Sequence, residues 1–279
     1  MLPNYHRPVP TSSRPECFAR ERTAPAFVGT LRVGALPELG RLKLDRYDGR
    51  DSPAVNSLLG SLAPVEASRI LPGLELVSLE SRQVLFEQGQ VITHVYFPLT
   101  TLISQLRVMN GRIVVETGTI GSEGMLGLPV FLGSRISDTL CRVLITGKAL
   151  RTSRASFLKL VAANDDFREI LGRYTAASLA GAVQLAACNL LHPLRQRCAR
   201  TLLAIHDHVA GDDLLLTHEY LAQMLGVGRG GVTPALGFLQ TRGIITNRRG
   251  VITILDRQRL EADACECAAI MRELAKPSR

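Results

Sequence analysis

The sequence predicts an α+β chain in three parts: a β jelly roll, then a long helix, then a C-terminal winged helix-turn-helix. Three observations predict it. Short runs rich in Val, Ile, Leu and Thr, separated by glycine or asparagine, fill residues 76–155. Helical periodicity takes over across 154–191. Two short helical patterns joined at a glycine turn, then a small basic hairpin, occupy 214–255.

The bulk composition sets limits. The chain has 279 residues, 46% of them apolar, enough for two ordinary domains with a sizeable core. No uninterrupted apolar run reaches the roughly 18 residues of a membrane span. The nearest, AASLAGAVQLAACNLL (176–191), carries Gln184 and Asn189. No secretory signal opens the chain, so the six cysteines read as reduced thiols in a cytoplasmic protein. A net charge of +8 suits nucleic acid as a partner.

Residues 1–54 hold nine basic and six acidic residues, several prolines and no periodicity, which predicts a disordered extension. Ordered text begins at Val55, where VNSLLGSLAPVEASRILPGLELVSL reads as two short helices. A sensor barrel is expected over 55–163. Its strands are RQVLFEQGQ, THVYFPL, LISQLRV, RIVVETGTI and TLCRVLIT, with Asn110-Gly111 as the strongest hairpin signal. Many short strands of this kind suggest a jelly roll.

A helix follows, expected over 164–191. Phe167, Ile170, Leu171, Tyr174, Ala177, Gly181, Leu185 and Cys188 form one stripe. The stripe either covers the barrel or meets a second copy of the chain. Its crowding with Ala, Gly and Ser, which lets another backbone approach, favours the second copy and a dimer helix. His192-Pro193 ends it.

The last part, 192–279, carries the reader. Thr217 and His218 open a helix with Leu221, Met224 and Leu225 inward, and Gly226 ends it. Val232, Leu236 and Leu239 mark the next helix, and Asn247-Arg248-Arg249-Gly250 tips a hairpin. One helix then suits the major groove, and the basic tip suits phosphate. Across 217–259, six arginines face only Glu219 and Asp256, a surplus of four. Arg229 stands alone among glycines in GVGRGGVTPALGFLQ (226–240) and could read a guanine edge. Pro234 would cost roughly 3 kcal/mol inside a helix. The expected escape is a late start, with Thr233 as N-cap, Pro234 as first helical residue and GVGRGG as a loop. The candidate DNA contacts are thus Thr217, His218, Arg229, Gly230, Gly231, Thr233, Arg248 and Arg249.

The order of these motifs resembles the Crp/Fnr superfamily of bacterial transcription regulators. The residues that carry the resemblance are QVLFEQGQVITHVYFPLTTLIS, GSEGMLGLPVFLG, CNLLH followed by RQRCARTLL, LTHEYLAQMLGV, RGVITILDRQRLE and CEC. They span about residues 56–270. The resemblance implies a cyclic-nucleotide-binding-like barrel, a dimerisation helix, a homodimer on double-stranded DNA and RNA polymerase as a partner. It also implies that the first turn of the reading helix carries Arg and Glu. Here Gly230 replaces the glutamate, and Pro234 stands where Arg or Glu is usual. The alternative is therefore a ligand- or protein-binding module with a degenerate, weakly DNA-binding head.

The resemblance further places an effector, a small molecule or nucleotide, at Gly124, Met125, Leu126, Gly127 and Leu128, with Arg135 and Ser137 nearest to the usual phosphate-binding pair. Met125 stands in place of a ribose-binding glutamate, which weighs against cyclic AMP. The alternative for this cassette is an apolar capped turn that fills the barrel. No enzyme is expected. Metal-dependent barrel enzymes need a cluster of histidines, and this barrel has only His94. Some relatives hold an iron–sulfur cluster on N-terminal cysteines, but only Cys17 lies there. Cys265 and Cys267 read as part of the last helix, so no metal site is assigned.

Overall fold

The computed structural model describes residues 56–110 and 113–276; the expected extension over 1–54 lies outside them. Two antiparallel sheets form the barrel. One holds β1 (Glu75–Leu79), β7 (Gly147–Ser153) and β3 (His94–Pro98) in the order β1-β7-β3. The other holds β2 (Val84–Phe86), β6 (Leu140–Ile145), β4 (Leu102–Met109) and β5 (Ile113–Ile120) in the order β2-β6-β4-β5.

Two helices precede the barrel, as expected: α1 (Ser57–Gly60) and α2 (Pro64–Ile70). Asn56 caps α1 and is itself buried. Its amide also donates to the Pro98 carbonyl at 3.1 Å and the Gly124 carbonyl at 2.7 Å, tying the first turn to the barrel. A short helix, α3 (Leu128–Phe131), lies inside the cassette between β5 and β6.

Two strands depart from expectation. The end of the supposedly helical opening segment is β1, with Val77 and Leu79 buried in alternation. The central strand β7 is not among the expected five, because GKALRTS holds a single β-branched residue. Pairing on both edges, with β1 and β3, compensates for its weak propensity. Gly147 opens it where a Cβ would lie 2.5 Å from the Thr100 carbonyl oxygen, so only glycine fits.

The helical region is two helices. Asn164 leaves helical conformation (φ −142°, ψ 106°), and its side chain accepts from the Phe167 amide at 2.7 Å. It separates α4 (Arg154–Ala163) from α5 (Asp165–Leu191), whose first turn carries Asp165 and Asp166 against the helix dipole. At 27 residues α5 is about 40 Å long. By length and composition alone α5 would be long and apolar enough to cross a bilayer. Both its ends are built into the protein. Phe167 and Leu171 are fully buried in the barrel core, with Phe167 edge-on to Phe157 at 6.1 Å. Cys188 is buried near the chain's last helix.

This corrects the dimer stripe. Phe167, Ile170 and Cys188 are buried within this chain, and Tyr174 packs against the barrel core. Ala177 and Gly181 line an internal cavity. The bulky members of the stripe are covered by the chain itself, while its small members Ala177 and Gly181 border open space.

The head contains α6 (Leu194–His206), β8 (Asp213–Leu215), α7 (His218–Leu225), α8 (Arg229–Thr241), β9 (Ile245–Arg248), β10 (Val251–Ile254), α9 (Arg257–Asp263) and α10 (Cys267–Leu274). Its sheet runs β8-β10-β9. Leu221, Val232, Leu236, Leu239 and Ile252 are all at most 1% exposed in its core. Leu102 and Leu144, from barrel strands β4 and β6, belong to that same core. Arg142 of β6 stacks on Tyr220 at 4.8 Å and donates to Gln223 at 3.3 Å, so α7 is docked on the barrel.

Candidate nucleic-acid interface

The turn between α7 and α8 follows from its glycines. Thr217 caps α7 by accepting from the Tyr220 amide at 3.2 Å. Gly226 ends α7 in the left-handed region (φ 64°), and extended Gly228 precedes α8. Helix α8 starts at Arg229, not at Pro234. The late start expected from Pro234 is therefore wrong, and Thr233 caps nothing. Pro234 is the sixth residue of α8 and lies on its exposed side. It removes the N–H that would reach the Gly230 carbonyl. Burial of Val232, Ala235, Leu236 and Leu239 holds the helix in spite of that loss, a tertiary override of propensity.

Arg229, Gly230, Thr233 and Pro234 are exposed, whereas Gly231 turns inward, where a Cβ would come 3.2 Å from Leu194. His218 links three elements. Its Nδ1 faces the Thr233 hydroxyl at 3.3 Å and its Nε2 faces the Asn247 amide. The sequence places Asn247 only within the tip; its position before two arginines is the signal that could have marked it as a contact. At the wing, Arg249 (φ 48°) and Gly250 (φ 86°) both adopt positive φ between the paired Arg248 and Val251. That is a two-residue type I′ turn, which matches strand twist and projects the tip.

Thr217, His218, Glu219, Arg229, Asn247, Arg249 and Gly250 line one open cleft of about 540 Å³. Gly230, Gly231, Thr233 and Arg248 do not border it. Two of the six arginines are used in folding. Arg242 pairs with Asp263 at 2.7 Å, and Arg257 pairs with Asp207 and Glu261. Among the described residues, Arg229, Arg248, Arg249 and Arg259 have no acidic partner within 4.0 Å, so the cationic face is narrower than the sequence surplus implies.

The effector cassette is filled. Met125 and Leu126 are at most 1% exposed, and Leu128 packs against the barrel core. Leu126 pairs with Tyr96 through bonds of 2.8 and 3.0 Å, which occupies its backbone N–H. Gly127 (φ 104°) makes the turn beside Val95. A side chain at Gly124 would collide with the Tyr174 hydroxyl, which donates to the Met125 carbonyl at 3.4 Å. Arg135 is exposed on its loop, and Ser137 is buried and donates to the Thr139 carbonyl at 2.7 Å. None of these seven residues borders the chain's large cavity. The apolar-turn alternative describes the cassette, because its side chains complete the barrel core.

That cavity, of about 560 Å³, lies between β5, α5, α6 and α10. Glu116, Gly118, Tyr174, Gly181, Arg200 and Met271 are among its walls. Burial pushes the Glu116 carboxyl up to about 8, against the Ser104 hydrogen bond and the Arg200 charge, which pull it down. Sequence reasoning missed this space, which needs residues as far apart as Ser57 and Lys276 to converge.

The Crp-like helix-turn-helix domain family matches residues 196–263. Solved structures are similar over most of the described residues. FixK2 from Bradyrhizobium japonicum is 18% identical, with 69% of this chain and 98% of that chain covered at a TM-score of 0.59. A protein described as a Crp/Fnr-family transcriptional regulator, from Eubacterium rectale, is 18% identical, covering 74% and 96% at 0.60. The c-di-GMP-responsive global regulator CLP of Xanthomonas campestris is 18% identical, covering 69% and 99% at 0.56. No curated protein matches the sequence.

The chain carries a Crp-like helix-turn-helix domain on the fold of the solved Crp/Fnr-type structures.

The family model matches the head itself, so the degenerate-head alternative is not favoured. The matched residues include the turn, α8 and the wing. One further departure lies beside them. Cys265 sits between α9 and α10, not within a helix, and Cys265 and Cys267 meet Cys188 and His192.

Proposed function

We propose that the regulator is a homodimer that reads DNA through the first turn of α8, grips phosphate through the wing tip, and takes a small-molecule effector in the cavity beneath α5. The carrying observation is the open cleft, which Arg229 and Arg249 flank from two different elements. An arginine at a helix mouth suits a guanine edge, while one on a turn tip suits phosphate. Thr217, His218 and Thr233 position these groups, and Gly230 admits the phosphate backbone closely.

The test is binding to a selected site, to single-base variants of it and to random DNA, at several salt concentrations. Arg229→Ala should cost roughly 1–3 kcal/mol per half-site and relax preference at one base. Replacing Arg248 and Arg249 by Ala should weaken binding to all sequences alike, and the salt slope should fall by about one for each phosphate no longer neutralised. Equal loss on every sequence for Arg229→Ala would reduce that residue to a phosphate anchor.

The dimer reading rests on the outer face of α5. Gly172, Ala176, Leu179, Val183, Ala186 and Leu190 are all exposed, spaced four, three, four, three and four residues apart. That is the seam of a left-handed coiled coil, which a second copy would cover. It would set two reading helices about 34 Å apart, one helical turn of DNA. Cyclic AMP does not suit the barrel, since Met125 is fully buried and offers no carboxylate. Calorimetry should detect no binding tighter than millimolar, and micromolar affinity would refute this. We read the protein as a cytoplasmic non-enzyme that acts through RNA polymerase, as its type implies.

A further inference from the structure

We propose that Cys188, His192, Cys265 and Cys267 bind one zinc ion in a closed, tetrahedral Cys₃His site that pins the end of α5 to the start of α10. Cys188 and His192 are four apart at the C-terminal end of α5, so they share a face. Cys265 lies just before α10 and Cys267 is its first residue, with Glu266 between them. One ligand atom from each of the four lies within 4.8 Å of all the others.

The spacing fits a mononuclear ion. With Zn–S near 2.3 Å and Zn–N near 2.0–2.1 Å, tetrahedral geometry demands S···S edges of about 3.8 Å and S···N edges of about 3.6 Å. The Cys188 and Cys265 sulfurs are 3.6 Å apart, and the Cys267 sulfur lies 3.5 Å from His192 Nδ1. An iron–sulfur cluster spreads its four ligands over two or four irons and needs wider spacing across them. A disulfide needs about 2.05 Å, well short of the observed gap.

The surroundings are those of a metal site. His192 Nε2 lies 3.2 Å from the Glu266 carboxylate, which would hold the tautomer that aims Nδ1 at the ion. Gln184 donates to the Cys267 sulfur at 3.1 Å. All three cysteines are at most 4% exposed, so no open coordination position faces solvent, which marks a structural site. Binding a divalent ion would release three thiol protons to solvent, with no change in oxidation state, and leave the site with one negative charge. Arg200 supplies the counter-charge. It is 8% exposed, its charge acts on Cys188, and its Nε has no hydrogen-bond partner.

The experiment uses the full chain, purified under reducing conditions and dialysed against zinc. Metal analysis should find about one zinc per chain. Cys265→Ser with Cys267→Ser should lower this to near zero, whereas Cys198→Ala, in the head core and outside the cluster, should leave it unchanged. Should the double variant fail to fold, the wild-type chain still decides. Organomercurial titration of its thiols should release the zinc in step with modification, and cobalt(II) exchange should give the absorption of a tetrahedral thiolate site. A reduced, folded wild-type chain holding less than about one tenth of a zinc would overturn the proposal. So would a metal-free Cys188–Cys265 disulfide in protein purified and zinc-loaded under the same conditions.

Discussion

The inward and outward faces of α5 are written in the same alphabet and differ in what covers them. Inward, Phe167 and Leu171 are fully buried against the barrel, Ala177 and Gly181 border the cavity, and Cys188 is buried near α10. Outward, Leu179, Val183 and Leu190 are 67%, 64% and 86% exposed. Both faces are spaced by threes and fours. Periodicity therefore says that a face needs cover, and it is silent on whether the cover is the chain's own barrel or another copy. The inward face is bulky only where the barrel meets it, while the outward one mixes small and branched residues along its length.

The sharpest way to break this contrast is to truncate one residue on each side. Phe167→Ala should lower the chain's stability by about 3–5 kcal/mol in urea. Leu179→Ala, measured where the chain is monomeric, should change it by no more than about 0.5 kcal/mol. Equal losses would mean that the outer face has an intramolecular partner.

Charge on the outer seam should have the next largest effect. Leu179→Glu with Val183→Glu places like charges across a two-fold and should convert a dimer to a monomer at micromolar concentration, as read by sedimentation. Gly181→Leu, where an added Cβ meets nothing within 4 Å, should leave the dimer intact. The opposite pair of results would restore the inward stripe as the dimer contact.

The smallest effect belongs to the cavity wall. The Glu116 carboxyl is raised from 4.5 to about 8, so the fold holds its proton more tightly than the unfolded chain does. Stability from this group is complete below pH 4.5 and is lost as the pH rises through about 8. Glu116 keeps some exposure along the cavity, so the swing should be on the order of 1–2 kcal/mol, below the full value of 1.36 kcal/mol per unit. Glu116→Gln should flatten that slope in urea melts taken between pH 5 and pH 9.

What the text of the chain made legible was local. Thr217 before an apolar period, Gly226 at its end and Arg249-Gly250 between short strands each act within a few residues, and each stands where the sequence places it. The long-range features were not legible. Strand β7 forms because β1 and β3 flank it, and α8 ignores Pro234 because four inward side chains hold it. Cys188 and Cys265 are 77 positions apart, and nothing in either neighbourhood announces the other.

The leucines that the barrel lends to the head have a consequence for how the protein comes apart. Leu102 of β4 and Leu144 of β6 are packed among head residues, so the two cores, otherwise separate clusters, share an apolar seam. Removing the head exposes barrel strands, and opening the barrel strips the head. The two halves then melt as one cooperative unit, with a single calorimetric transition in place of two. A head expressed without its barrel lacks part of its own interior and starts from a deficit in stability that its sequence alone would not reveal.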